Sequence, residues 1–364
     1  MIETPGILWT ILFFIVAIGP LVFLHEMGHY LVGRWFGVKA DVFSIGFGRE
    51  VAGWTDARGT RWKTGWLPLG GYVKFAGDLN GASVPDPAWQ ALPAAERDRT
   101  FQSKPLWQRA LIVAAGPFTN FLIGFAIFAG LAASLGDMRV SPQIGDVRPA
   151  SAAERAGLRT GDVIKQMDGH DIDDFQDLLV YVYARPKVPI TFEIDRAGTR
   201  QRVVATPAYA ETRDQFGNLQ RRGLLGIGPS GAEVVQVPLV EAPGVALSRV
   251  AGVVASTVDG IGQMIFGNLS AKEMSGPVKM AKFSGQIASM GLIAFLGFVA
   301  FVSINLGFIN LLPIPMLDGG HLLLYGIEGV TRRPLPEAAQ EWAFRGGFAA
   351  VLALMVFVTF NDLS

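Results

Sequence analysis

The sequence contains no cysteine and only four histidines among its 364 residues. The absence of cysteine excludes disulfide bonds and every zinc site that uses a thiolate ligand. Charge is also scarce, because only 17% of the residues are charged and the formal net charge is zero, while half of the residues are hydrophobic. This composition is typical of a membrane protein, and the lack of a basic excess predicts no nucleic-acid partner. Any bound metal ion must therefore be held by histidine and carboxylate side chains.

The first uncharged segment covers residues 4–24. Its length of about 20 residues is enough to cross the hydrocarbon core of a lipid bilayer. Arg34 and Lys39 follow this segment, whereas no basic residue precedes it. The positive-inside tendency therefore predicts an N-terminus outside the cell membrane and a cytoplasmic Arg34. Because the segment ends in polar residues rather than a small-residue cleavage site, we expect a retained membrane helix and not a signal peptide.

Three ionisable side chains, His25, Glu26 and His29, lie at the cytoplasmic end of this helix. His25 and His29 are four residues apart, so both imidazoles project from one helical face. Such a pair can hold zinc while the adjacent glutamate acts as general base, which is the H-E-x-x-H pattern. The alternative is a buried histidine pair hydrogen-bonded to neighbouring helices. It leaves Glu26 without a role, although a charged side chain at the bilayer centre costs about 2.5–3.5 kcal/mol.

Three more uncharged segments predict membrane helices, at residues 110–136, 287–312 and 346–361. The chain is then expected to have four spans in total. The second span contains Asn120. A polar side chain at this depth is equally consistent with a hydrogen bond between helices and with a part in a functional site. Residues 245–286 are apolar but interrupted by charges, and this pattern favours an amphipathic helix on the outer membrane surface.

Glycine-rich segments between residues 40 and 75 predict short strands beside the metal helix, and the polar residues 77–103 predict a mobile loop. A hairpin with an open edge could bind an extended peptide as an added strand. A plain cytoplasmic connector is the equally good alternative. Residues 137–244 are soluble in composition, and the segment A-G-L-R-T-G-D-V-I at 156–164 resembles a PDZ domain. The groove of such a domain binds peptide termini or extended segments.

A zinc ion with two histidine ligands needs a third protein ligand and an open position. Pro313 and Pro315 must break the third membrane helix shortly before Asp318, and this break can direct the carboxylate towards the histidine pair. His321 is a less favoured candidate for the third ligand. Asp259 lies further away, in the predicted amphipathic region.

Two segments together resemble the site-2 protease family of intramembrane zinc metalloproteases. They are HEMGH in the first span and N-L-L-P-I-P-M-L-D-G-G-H at residues 310–321. The closer match is the bacterial branch that cleaves membrane-bound anti-sigma factors during envelope stress. Residues 101–105, 116–120 and 275–277 fit that branch as well. The resemblance covers nearly the whole chain, but the best-known members carry two PDZ domains, and only one is clear here.

The resemblance implies a Zn²⁺ ion held by His25, His29 and Asp318, with Glu26 as general base. It also implies substrate-binding residues, which are Asn310, Gly71, Tyr72, Val73 and Lys74. The implied substrate is a single-span membrane protein similar to an anti-sigma factor, hydrolysed within or near its transmembrane helix. A peptide or protein ligand is expected at the PDZ domain, which would either exclude or recruit substrates.

The predicted fold class is a polytopic α-helical membrane protein with four transmembrane helices, a membrane-associated β-hairpin sheet and one periplasmic PDZ domain of the α+β type. We expect it in the bacterial inner membrane, with both termini in the periplasm and the lipid bilayer as a partner. The predicted parts are the first span with HEMGH at 1–39, the hairpin and mobile loop at 40–106, the second span at 107–136, the PDZ domain and closing segment at 137–244, the surface helix at 245–286, the third span at 287–325, and a cytoplasmic turn with the fourth span at 326–364.

Two other functions compete with proteolysis. A membrane receptor with a structural zinc site would need a fourth protein ligand, for which His321 is the nearby option. A zinc transporter would carry polar residues through the whole membrane, whereas these residues cluster near one face. The intact H-E-x-x-H pattern with its glutamate argues against both functions.

Overall fold

The computed structural model describes residues 6–81, 86–172, 174–213, 219–266, 276–333 and 337–363. The chain divides into two units, which are described separately below. The helical unit consists of Pro5–Ile127 and Gly276–Ser364, and the sheet unit consists of Met1–Thr4 and Phe128–Ser275.

The described helices are mostly long and apolar. In chain order they are α1 (Ile7–Trp35), α2 (Ala94–Arg97), α3 (Leu106–Leu135), α4 (Ala152–Ala156), α5 (Phe175–Tyr183), α6 (Ala242–Ile265), α7 (Pro277–Ser289), α8 (Leu292–Leu311), α9 (Asp318–Thr331) and α10 (Glu337–Leu363). A short 3-10 helix covers Pro87–Ala91.

The described strands fall into one hairpin in the helical unit and several sheets in the sheet unit. They are β1 (Ala40–Thr55), β2 (Arg61–Phe75), β3 (Asp137–Val140), β4 (Ile144–Val147), β5 (Val163–Met167), β6 (His170–Asp171), β7 (Ile190–Arg196), β8 (Thr199–Ala205), β9 (Ala208–Arg213), β10 (Leu219–Leu224), β11 (Ile227–Pro229) and β12 (Ala232–Val235).

Five of the described helices are long and apolar enough to cross a membrane, whereas the sequence predicted four spans. They are α1, α3, α6, α8 and the segment Arg345–Asp362 of α10. The additional candidate is α6, whose best window has a mean hydropathy of only 1.3, compared with 2.7 for α1. Length and composition alone therefore do not distinguish a spanning α6 from the predicted surface helix, and the number of spans stays a prediction.

The structure divides the predicted helix at 245–286 into two helices that belong to different units. α6 ends at Ile265 in the sheet unit, and α7 begins at Pro277 in the helical unit. A proline in the first turn starts a helix without losing a hydrogen bond, which explains the new beginning at Pro277. α7 packs closely on α1, since a Cβ built on Gly285 would lie 2.9 Å from Cα of Thr10.

The hairpin has two long strands in place of the predicted short ones, and each strand bends. Residues 42–45 of β1 have Cα partners at 71–74 on one side and at 61–64 on the other, while 52–55 also pair with 61–64. Gly46, Gly48 and Gly70 adopt positive φ angles of 83°, 86° and 90° at the bends, a conformation that favours glycine. Residues 71–74, which we call the outer segment, therefore form one edge of the sheet.

Parts of the segment that follows the hairpin are packed against it, and the predicted mobility of this segment stays a prediction. Phe101 is buried and stacks on Phe75 with 5.6 Å between ring centroids. The buried Asp78 carboxylate accepts hydrogen bonds from Gln102 Nε2 at 3.0 Å and from the Phe75 N–H at 3.2 Å. Burial raises the pKa of Asp78 to about 7, although both hydrogen bonds oppose that rise. Residues 82–85 lie outside the described part.

The sheet unit is built around a four-stranded antiparallel sheet with the strand order β6-β5-β7-β8. Its core contains fully buried aliphatic and aromatic side chains from the sheet and from α5. At 156–164, Gly157 ends α4 with φ of 83°, and the buried Asp162 accepts hydrogen bonds from the Arg196 guanidinium. The assignment of this unit to a PDZ domain stays a prediction.

Candidate metal centre

Three donor side chains of the helical unit lie close together near the C-terminal end of α1. The Nε2 atoms of His25 and His29 are 3.2 Å apart. Carboxylate oxygens of Asp318 lie 3.2 Å from Nε2 of His25 and 3.5 Å from Nε2 of His29. A tetrahedral zinc ion with bonds of about 2.0–2.1 Å needs donors roughly 3.3 Å apart. The donor set and its spacing therefore fit zinc.

Asp318 reaches the histidines because the chain breaks between α8 and α9. α8 ends at Leu311, and Asp318 is the first residue of α9. Met316 in the connecting loop has φ of 82°, which is rare for a residue other than glycine. A Cβ on Gly320 would lie 2.8 Å from the carbonyl carbon of Ile314, so only glycine permits this tight turn. The two prolines and the two glycines of this segment thus bring the carboxylate to the histidine pair.

α3 packs against α1 at the height of the donor side chains. A Cβ on Gly28 would lie 2.6 Å from the carbonyl oxygen of Ala115, and a Cβ on Gly116 would lie 2.8 Å from Nε2 of His25 and collide with Nε2 of His29. Nδ1 of His29 donates to the carbonyl oxygen of Ile112 at 2.8 Å. This hydrogen bond leaves Nε2 of His29 available for a metal ion. The amide of Asn120 lies 3.1 Å from Nδ1 of His25.

Glu26 lies between the donor group and the outer segment of the hairpin. Its carboxylate accepts a hydrogen bond from the backbone N–H of Val73. A Cβ on Gly71 would lie 3.0 Å from Cγ of Glu26 and 3.1 Å from a methyl group of Val22. Glycine at position 71 therefore lets the sheet edge approach α1.

A cavity of about 630 Å³ opens beside the donor group. Of the predicted substrate-binding residues, Asn310, Gly71, Tyr72 and Val73 line this cavity, whereas Lys74 is not among the lining residues. The sequence reasoning missed further lining residues, which are Val22, Phe47, Gly48, Gly70, Phe75, Asn80, Gly81, Phe101, Ile112, Val113, Leu306, Met316 and Leu317. Among these residues, only Gly48 and Gly70 gave a signal in the sequence, because glycine-rich segments predict turns.

The two other predicted candidates for the third ligand, His321 and Asp259, do not join the histidine pair in the donor group. His321 lines the cavity but is not part of the donor group within 4.8 Å that the described residues form. Asp259 forms an ion pair with Arg185 inside the sheet unit. Asp318 is therefore the carboxylate that the structure brings to the histidine pair.

Comparisons with known proteins agree with the chemistry of this donor group. Residues 13–354 match the family described as Peptidase family M50. A protein of Agrobacterium fabrum is 43% identical over 356 residues, which is 96% of this chain and 94% of the relative. A protein of Rhizobium meliloti is 44% identical over 361 residues, covering 98% and 96%. Both carry the words zinc metalloprotease in their names. Metalloprotease MmpA of Caulobacter vibrioides is 36% identical over 383 residues, covering 99% of this chain and 96% of the relative.

Proposed function

Because this chain belongs to peptidase family M50, we propose that it is an intramembrane zinc metalloendopeptidase. Membership of the family confirms the resemblance to site-2 proteases, and zinc is the cofactor. The chain is a multi-pass membrane protein with several long apolar helices. The observation that carries the proposal is the approach of His25, His29 and Asp318 to one another beside Glu26.

We propose His25, His29 and Asp318 as the three protein ligands of zinc. Three protein ligands leave one position open, as in catalytic zinc sites. Bound zinc supplies Lewis acidity, which lowers the pKa of a coordinated water and polarises a carbonyl group. Glu26 lines the same cavity and follows His25 directly, so its carboxylate can accept a proton from water and deliver it to the leaving amine.

The outer segment of the hairpin supports the proposed substrate class, a single-span membrane protein. The backbone of a transmembrane helix is hydrogen-bonded internally, so its scissile bond becomes accessible only when the helix is locally extended. An extended peptide can add to the sheet edge at Gly71, Tyr72 and Val73, which line the cavity. Asn310 lines the same cavity and offers a side-chain amide to the substrate backbone. Lys74 belongs to the same edge by its pairing with Val42.

We further propose that the substrate is an anti-sigma factor in an envelope stress response and that cleavage occurs within or near its transmembrane helix. The support is the resemblance stated above and the bacterial origin of the matched relatives. On this proposal the chain lies in the bacterial inner membrane, with both termini in the periplasm. Residues 137–244 of the sheet unit would form a periplasmic PDZ domain with its closing segment, and this domain would bind a peptide or protein ligand.

Co-expression with candidate single-span proteins tests the proposed function. We expect wild type to produce a new terminus, which mass spectrometry can map. Glu26→Gln should lose cleavage by about 10²–10⁴-fold, because the general base is removed, and should keep its zinc. Glu50→Gln is the matched control, since Glu50 pairs with Arg61 on the hairpin and should leave cleavage unchanged. Normal turnover by Glu26→Gln would contradict the assignment.

A further inference from the structure

Asn120 carries an unused acceptor next to a proposed zinc ligand. Its side chain is fully buried on α3, with 0% of the residue exposed. Nδ2 lies 3.1 Å from Nδ1 of His25. The Oδ1 atom of the same amide is buried and has no hydrogen-bond partner among the residues that the structure describes. A buried acceptor without a donor costs free energy, so its position calls for an explanation.

The direction of this hydrogen bond decides which nitrogen of His25 is available to a metal ion. An amide nitrogen donates, so a contact from Nδ2 makes Nδ1 of His25 the acceptor and leaves the ring proton on Nε2. Nε2 is the atom that faces His29 and Asp318. A ligating Nε2 cannot carry that proton, and Nδ1 must then be the donor. Zinc binding through Nε2 therefore requires an acceptor at the place of Nδ2.

We propose that Oδ1 of Asn120 accepts the hydrogen bond from Nδ1–H of His25 and thereby holds the tautomer whose Nε2 binds zinc. The oxygen and nitrogen of a side-chain amide have nearly the same shape, and their assignment follows from the hydrogen bonds they make. Rotating the Asn120 amide by half a turn exchanges Oδ1 and Nδ2, so the oxygen lies about 3.1 Å from a donor and the amide nitrogen takes the position without a partner among the described residues. Asn120 is then a positioning residue that acts through His25. This inference rests on the zinc site of the proposed function.

The surroundings of Asn120 support this role. Ser303 of α8 donates to the backbone carbonyl of Asn120 at 2.8 Å, and a Cβ on Gly307 would lie 3.2 Å from Cβ of Asn120. α8 therefore packs closely against α3 at this position. The second histidine, His29, already has its acceptor on the same helix, the carbonyl oxygen of Ile112. α3 would therefore orient both ligating imidazoles, one through the backbone and one through a side chain.

Zinc affinity of the purified full-length protein tests the inference independently of cleavage. Asn120→Leu keeps the size of the side chain but has no acceptor, and we expect zinc to bind about 10–100-fold more weakly in chelator competition. Asn120→Asp keeps an oxygen acceptor and should restore affinity to within about threefold of wild type. Ser134→Ala is the matched control on the same helix, because the Ser134 hydroxyl bonds backbone carbonyl groups of its own helix, and it should leave zinc affinity unchanged.

Wild-type affinity in Asn120→Leu would overturn the inference, as would an Asn120→Asp variant as weak as Asn120→Leu. Thermal unfolding of the metal-free proteins checks that each variant folds. If Asn120→Leu does not fold, Asn120→Ala takes its place, and the visible spectrum of the cobalt-substituted protein then reports a changed ligand geometry. An unchanged spectrum and affinity would again contradict the inference. A separate result would contradict the proposed zinc site itself: equal zinc binding by wild type and His25→Ala.

Discussion

Glycine residues set the distances from α1 to α3 and to the outer segment of the hairpin. Gly28 and Gly116 let α1 and α3 approach at the donor side chains, and Gly71 lets the outer segment of the hairpin approach Glu26. A methyl group at any of these positions would overlap backbone or ring atoms, and packed interiors have little room to move. The geometry of the site therefore depends on glycine residues, which have no Cβ, as well as on the donor side chains.

At this scale we predict that Gly116→Ala weakens zinc binding by at least about tenfold, because the new methyl group displaces both imidazoles. Elemental analysis of the purified protein measures the zinc content. Gly130→Ala is the control on the same helix, since a Cβ there meets nothing within 4 Å. Equal zinc content in the two variants would show that the imidazoles can shift without loss of the metal.

Among the helices, α10 holds two other elements in place. Near one end, a Cβ on Gly347 would lie 2.6 Å from the carbonyl oxygen of Pro315, in the loop that leads to Asp318. At the other end, the buried Asp362 accepts hydrogen bonds from the backbone N–H groups of Gly276, Val278 and Lys279 at 3.0–3.1 Å. A carboxylate at this place accepts hydrogen bonds from the free N–H groups in the first turn of α7. Its negative charge also interacts favourably with the positive N-terminal end of the helix dipole.

For this contact between elements we predict that Asp362→Ala lowers the free energy of unfolding by about 1–2 kcal/mol, since the first turn of α7 loses its cap. Amide hydrogen exchange at Val278 and Lys279 should become faster. Lys279→Ala should have the smaller effect, because it removes only an ion pair at 3.7 Å and leaves the backbone hydrogen bonds. Unchanged exchange in Asp362→Ala would mean that α7 is held by its packing on α1 alone.

For the molecule as a whole, the sheet unit has its own hydrophobic core and its own polar contacts with α6. Arg185 pairs with Asp259 and Arg249 pairs with Asp137, so two ion pairs join α6 to the strands and α5 region of the same unit. On the proposal above that residues 137–244 form a PDZ domain, this unit would bind a peptide ligand and regulate which substrates are cleaved. This view leads to the proposal that the unit filters substrates by the size of their ectodomains.

On this scale, deletion of residues 140–208 should permit cleavage of a single-span substrate that still carries a large ectodomain. Immunoblotting of the co-expressed substrate measures the cleaved fraction. The same deletion combined with Glu26→Gln should give no cleavage, which assigns the activity to this chain. If the deletion only reduces cleavage of every substrate, the unit recruits substrates and does not exclude them.

Several parts of this protein could be read from local patterns in the chain. The four-residue spacing of His25 and His29 and the two prolines before Asp318 act over one or two turns of backbone, and each uncharged segment is a continuous stretch of the chain. Helical periodicity and the conformational limits of proline are local effects, so they are visible without knowledge of neighbours. The break between α8 and α9 and the positions of the long apolar helices follow these patterns.

Other parts depend on residues that are far apart in the chain. The contacts of Asn120 with His25, of Gly116 with both histidines and of Asp362 with α7 join segments that are 83 to 95 residues apart in the chain. Composition gives no measure of how helices pack, and the same apolar pattern fits a spanning or a surface α6. The pairing of residues 42–45 with two partners and the packing of Phe101 on Phe75 therefore follow from tertiary contacts and not from local preference.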